Sequence, residues 1–264
     1  MEEKQRGMHD VAAQGFAAAG QVYERGRPDY PPDAIACLVT NLGIGAGSAV
    51  ADVGAGTGKL TRLLIETGAR VTAVEPVADM RQAFARALPG VLVLDGTAEA
   101  LPFEAGTVDS VIVGTAFHWF DGPVALREIH RVLRPGGGLG LLWNPRDETV
   151  DWVAQLVRLV DGYKQGDPPR YNDFRWRRAF EEGETAGLFT PLGEACFPFV
   201  HEVERSVALA RVASTSFVGA LSTEGREEVL SRARNLLDIN PDTRGRTALR
   251  LPYRADVYWC HKAS

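Results

Sequence analysis

"VADVGAGTGKLTRLL", Val50 to Leu64, reads as a buried strand that runs into glycines and then into a helix. A strand-to-helix connection needs one glycine at most. Three alternating ones, Gly54, Gly56 and Gly58, point to backbone kept bare so that a ligand can lie against it. In an open parallel sheet, ligands sit beyond the carboxyl ends of the strands, where strand order reverses. A strand ending at Val53 would put the glycines at that crevice, and the following helix would offer free N–H groups. Taken alone, such a turn would equally suit NAD, a phosphate or tight packing.

The surrounding pattern sets the fold class. From Ser48 to about Asn144, short apolar runs alternate with amphipathic stretches: "SAVADV", "ARVTAVE", "GVLVLD", "VDSVIVG" and "GLGLLWN". None shows clean period-2 alternation, which is how strands covered on both faces of a parallel sheet read. Between them, "GPVALREIHRVLRPGG" carries Leu126, Ile129, Val132 and Leu133 at helical spacing, with Pro135 and Gly136 to Gly138 as its stop. The expectation is a doubly wound α/β fold with a Rossmann-like, seven-stranded, mostly parallel sheet and an antiparallel last strand. Three parts are expected: an N-terminal helical arm over residues 1–47, split at "RPDYPP", a core over 48–144, and cap or lid insertions plus final strands over 145–264. In the last part, "DETVDWVAQLVRLVDGYK" predicts a helix with Trp152, Leu156, Leu159, Val160 and Tyr163 on one face. "EACFPFVHEVER" and "RTALRLPYRADVYWCHK" predict strands.

Composition narrows the function. In 264 residues, 45% are hydrophobic and 24% charged, ordinary values for a globular protein with a sizeable core. A net charge of −5 argues against a nucleic-acid or anionic-membrane partner. Cys37, Cys196 and Cys260 show no CxxC spacing, so no metal site and no disulfide framework is expected. No run reaches a membrane span, and "MEEKQRGMHD" lacks the apolar core of a signal peptide, so the expected compartment is the cytoplasm.

The second strand sharpens the ligand. It ends in Glu75, 21 residues after Gly54. A carboxylate there can accept both hydroxyls of a ribose. Dinucleotide sites use G-x-G-x-x-G to seat a pyrophosphate, whereas this chain has G-x-G-x-G with Lys59 following, and Asp52 would repel a pyrophosphate.

"VADVGAGTG", "AVEP", "GTAEALPF", "VDSVIVGTAFHWFD" and "REIHRVLRPGGGLGLLW" occur in the order found in class I S-adenosylmethionine-dependent methyltransferases. The chain resembles the small-molecule branch that includes ubiquinone-biosynthesis-type and trans-aconitate-type enzymes, from about Phe16 to Asn144. The resemblance implies S-adenosylmethionine as cofactor, with Gly54, Ala55 and Gly56 along its methionyl part, Glu75 on the ribose, and Pro76 and Met80 near the adenine. Many relatives carry an Asp where this chain has Thr97, so here the Thr97 hydroxyl or the Ala98 N–H would read the adenine. Thr115, Ala116 and His118 would flank the amino acid and the sulfonium, and Arg27 is a candidate partner for the cofactor carboxylate or a surface residue. His118 is the candidate catalytic residue, either as a base for an acceptor that arrives protonated or as a positioning group.

The implied function is methyl transfer to a small-molecule acceptor by a monomer or homodimer. Two further readings remain open: a cofactor-binding enzyme of the same fold that runs another reaction such as a cyclisation, and a non-catalytic cofactor-binding protein. "RYNDFRWRRAF", with Arg170, Arg175, Arg177 and Arg178, reads either as a lid gripping an acidic substrate or as a solvated face. Trp143, Trp152, Trp176, Phe217, Tyr253 and Trp259 read either as pocket walls or as core.

Overall fold

The computed structural model describes residues 27–164 and 170–263. The strand of the opening motif, β1 (Ala49–Val53), pairs in parallel with β2 (Arg70–Val74) on one side and with β4 (Val108–Gly114) on the other. With β3 (Val93–Leu94), β5 (Leu133–Trp143), β6 (Gly193–Glu204) and β7 (Ala248–His261), the sheet has seven strands in the order β3-β2-β1-β4-β5-β7-β6. Strand order therefore reverses between β1 and β4, and the glycines leave β1 at that point. β5 runs parallel to β4, and β7 runs antiparallel to β5, from Gly138 opposite His261 to Trp143 opposite Asp256. The expected fold class is the observed one.

The central strands are buried on both faces, as their unbroken apolar runs require. Val111, Ile112 and Val113 are wholly inaccessible, as are Leu139, Leu141 and Leu142. β6 differs: its exposure alternates residue by residue, the signature of an edge strand with one covered face. Helices α1 (Pro32–Leu42), α2 (Lys59–Ile65), α3 (Ala78–Ala87) and α4 (Gly122–Val132) alternate with the first strands. α1 starts just after Pro31 with a proline in its first turn, where a missing N–H costs nothing. α4 is capped by Asp121, whose side chain accepts from the Val124 N–H at 3.3 Å.

Two local expectations need correction. Leu133 is not on the α4 face but begins β5, because Arg134 precedes a proline and helical backbone is disfavoured before Pro135. "GVLVLD" contributes only Val93 and Leu94 to the sheet, as a short edge strand paired with β2 alone. The expected first arm helix lies outside the described residues.

Contacts divide the chain into two compact units. One comprises residues 29–144, 169–197 and 255–264. Its core joins Val53, Val74, Val111, Leu126, Ile129, Leu139 and Trp143 to Tyr171, Trp176 and Tyr258. The "RYNDFRWRRAF" stretch thus groups with the parallel sheet, its Tyr171 and Trp176 buried while Arg175 pairs with Asp173 and Arg177 with Glu194. The other unit comprises residues 1–28, 145–168 and 198–254. Among its described residues are α5 (Asp151–Asp161), α6 (Arg178–Glu181) having ended in the first unit, then α7 (Arg205–Ala213), α8 (Ser216–Gly219) and α9 (Thr223–Ile239). Trp152, Leu156, Val160, Val212, Val229, Leu237 and Tyr253 form its core. No helix among the described residues is long and apolar enough to cross a membrane.

Candidate active site

The three glycines of the opening motif all adopt left-handed backbone, with φ of 72° at Gly54, 58° at Gly56 and 91° at Gly58. Their spaces differ. A Cβ on Gly58 would strike Phe84 and Leu88 of α3 and its C-terminal cap at 2.9 and 2.7 Å, so that glycine serves packing. A Cβ on Gly54 would meet the Ala116 Cβ at 2.8 Å. Among the described residues, only the Met80 sulfur comes within reach of Gly56, at 3.8 Å. The loop is pinned to β2: the Gly54 and Ala55 N–H groups both donate to the Val74 carbonyl, at 2.9 and 3.2 Å.

Two buried acids face this loop. Glu75 is 4% exposed, and its two carboxylate oxygens accept from the Gly56 and Val77 N–H groups, both at 2.9 Å. Asp52 is fully buried; one oxygen accepts from the Thr61 hydroxyl at 2.5 Å and the other has no partner. Loss of water at Asp52, reinforced by the Glu75 charge and opposed by the Thr61 hydrogen bond, pushes its carboxyl up to about 7. A bare backbone beside two acids disfavours a pyrophosphate and suits a ligand with a ribose diol and positive charge. Among the described residues, no cluster of side chains could hold a metal ion.

The raised Asp52 has a consequence for stability. The folded chain holds a proton that the unfolded chain releases at ordinary carboxylate pH. Stability from Asp52 is therefore fully present below about pH 4 and is lost as pH rises through about 7. Melting temperatures of the ligand-free protein should fall between about pH 4 and pH 7 more steeply than those of Asp52→Asn. Parallel curves for the two proteins would assign the slope to other groups.

Residues 51–141 match the family described as a methyltransferase domain. An uncharacterized methyltransferase of Mycobacterium tuberculosis is 38% identical over 238 residues, which cover 90% of this chain and 91% of the relative. An uncharacterized methyltransferase-like protein of Schizosaccharomyces pombe is 30% identical over 241 residues, covering 91% and 92% of the two chains. This chain belongs to the S-adenosylmethionine-dependent methyltransferases. A solved structure described as a type II methyltransferase of Anaeromyxobacter dehalogenans shares the fold, with a TM-score of 0.63 at 23% identity over 90% of this chain and 97% of that one. A phosphoethanolamine N-methyltransferase of Haemonchus contortus, solved with S-adenosylhomocysteine, gives a TM-score of 0.55 at 12% identity, covering 97% of this chain and 60% of that one.

The remaining candidate residues of the first unit follow the carboxyl ends of β2, β3 and β4. Pro76 follows Glu75, and Met80 lies on α3, almost buried, against Gly56. Thr97 forms an isolated bridge with Ala100, and Ala98 between them is 2% exposed. Thr115 is left-handed, with φ of 58°, where β4 ends. His118 sits in the 3-10 turn Phe117–Trp119, and its Nδ1 accepts from the Trp143 Nε1–H at 3.2 Å. Arg27, half-buried, groups with the other unit.

Sequence reading missed three supporting residues. The Tyr30 hydroxyl shares a hydrogen bond with the Thr115 hydroxyl at 3.0 Å and stands 2.7 Å from where a Cβ on Gly114 would lie. Arg81 donates to the Glu75 and Pro76 carbonyls at 2.8 and 2.7 Å and pairs with Asp95, which fixes the turn that aims Glu75. Its spacing, six residues after Glu75 on the next helix, was the available signal. Trp143, expected as pocket wall or core, also donates to the His118 ring.

Proposed function

We propose that this methyltransferase transfers a methyl group to a small-molecule acceptor. The observation that carries the cofactor part is the open Gly56 backbone beside Glu75 and Asp52. The small acceptor is supported by the net charge of −5, which would repel a phosphate backbone. When bound, S-adenosylmethionine supplies a methyl group on a sulfonium whose charge vanishes on transfer. In this reading, Glu75 accepts from the ribose hydroxyls, and Gly54, Ala55 and Gly56 lie along the methionyl part. Pro76, Met80, Thr97 and Ala98 bound the adenine, and Thr115 and Ala116 flank the reacting end. A cationic ligand beside Asp52 favours its ionised form, so ligand binding and loss of the Asp52 proton reinforce each other. Calorimetry should show saturable binding of S-adenosylmethionine and none of NAD. Tight NAD binding without a response to the sulfonium cofactor would reject this assignment.

His118 acts in this reading as a positioning donor. An indole N–H can only donate, so His118 Nδ1 accepts, and the neutral ring carries its proton on Nε2. Glutamine can present an N–H near that place but cannot serve as a base. His118→Ala should lower turnover roughly 10- to 100-fold, and His118→Gln should restore most of it. A glutamine variant as slow as the alanine one would point to proton abstraction instead.

A further inference from the structure

The helical unit contains a group of buried polar atoms that methyl transfer does not use. Its centre is Tyr253 on β7, 2% exposed. Phe199 of β6 stacks on its ring at 5.6 Å, and His201, two residues further along, meets it edge-on at 6.2 Å. Arg146 is its cross-strand neighbour in an antiparallel bridge. The backbone bonds on either side, Arg254 N–H to the Pro145 carbonyl at 3.1 Å and Asp147 N–H to the Pro252 carbonyl at 3.0 Å, make Arg146 and Tyr253 a non-hydrogen-bonded pair. In such pairs the two side chains share one face and lie at their closest. Arg211 of α7 comes from the helical side to the same phenol.

Both guanidinium groups approach the phenol, but the cluster has no anionic partner among the described residues. The Tyr253 hydroxyl, the Arg146 Nε and the Arg211 Nε are all buried, and none makes a hydrogen bond of normal geometry. Among the described residues, no carboxylate forms an ion pair with either arginine. Unpaired guanidinium charge in a buried setting is costly, and such groups are ordinarily paired. The phenol reports the resulting field. Burial raises its pKa, but the Arg146 and Arg211 charges and the hydrogen bonds they offer the phenol together outweigh burial and hold it below the ordinary tyrosine value. The site stabilises negative charge on the oxygen it already contains.

We propose that Arg146, Arg211 and Tyr253 form a binding site for an oxyanion, the carboxylate or phosphate group of a small ligand. Two guanidinium forks offer paired N–H donors to such a group, and the phenol O–H adds a third direction. Arg146 and Arg211 are half-buried rather than fully enclosed. The proposal stands on the helical unit alone and does not depend on the methyl-transfer reading.

Calorimetric titration of the full chain with inorganic phosphate and, separately, with succinate at constant ionic strength tests it. Saturable binding of at least one probe is expected, and the tighter one identifies the source as phosphate or carboxylate. Arg146→Met and Arg211→Met should each weaken that probe at least tenfold, and Tyr253→Phe by less. Without anion, the two methionine variants should melt no lower than the wild type, since an uncompensated charge is removed; a merely structural arginine would give the opposite. Where a variant fails to fold, ultraviolet difference titration of the wild type serves: bound anion must move the tyrosinate transition to higher pH. Absence of saturable binding, or equal binding by the methionine variants, overturns the proposal, as does an unmoved tyrosinate transition.

Discussion

Glu75→Ala should bind S-adenosylmethionine roughly 10- to 150-fold more weakly than the wild type, a loss of about 1.5–3 kcal/mol. That is the usual cost of removing a charge-assisted acceptor. The structure adds a second effect. The side chain also accepts from the Gly56 and Val77 N–H groups, so alanine leaves two sheltered donors without partners. Each such donor costs of order 1–3 kcal/mol, and the melting temperature should fall along with affinity. Glu75→Gln separates the effects. Its amide oxygen can keep one backbone bond, so stability should largely recover, while the missing carboxylate leaves affinity low. Calorimetry and thermal melts on both variants check this; a folded alanine variant with wild-type affinity would show that the ribose is held elsewhere.

Gly56→Ala and Gly58→Ala should fail in opposite ways. At Gly56 the new Cβ finds room, its nearest neighbour being the Met80 sulfur at 3.8 Å, so the fold loses only the left-handed backbone strain of about 1 kcal/mol. In the proposed reading the methyl group nevertheless occupies space used by the cofactor, and affinity should fall roughly 100-fold or more. At Gly58 the new Cβ would overlap Phe84 and Leu88. Stability should then drop by roughly 2–4 kcal/mol, combining strain with overpacking. Cofactor saturation should rescue that variant in part, because a ligand that binds only the folded chain raises its apparent stability. Equal affinity losses in the two variants, at equal stability, would mean that both glycines serve the same purpose.

These contrasts show where sequence reading suffices. Alternation of apolar runs with helical stretches determined the parallel core, because burial on both faces removes period-2 patterning and leaves continuous runs such as "VIV" and "LLW". Gly54, Gly56, Gly58 and Glu75 were legible because their spacing reflects local geometry: a left-handed turn at one strand tip and an acid at the next. Leu133 was misread since helical spacing continues one residue beyond the point where Pro135 straightens the backbone.

What only the tertiary structure decided depends on partners distant in sequence. Gly58 is bare because of Phe84 and Leu88, whereas among the described residues only Met80 comes near Gly56; spacing makes the two glycines look alike. The Asp52 carboxyl is pushed up to about 7 because the sheet and α2 exclude water from it, which residue type does not reveal. His118 receives its hydrogen bond from Trp143, 25 residues away, through the parallel register of β4 and β5. Arg146, Arg211 and Tyr253 meet only because β7 returns antiparallel beside the segment after β5. Short-range pattern governs backbone shape, whereas charge, tautomer and open space follow from long-range packing, which brings together groups that no sequence period relates.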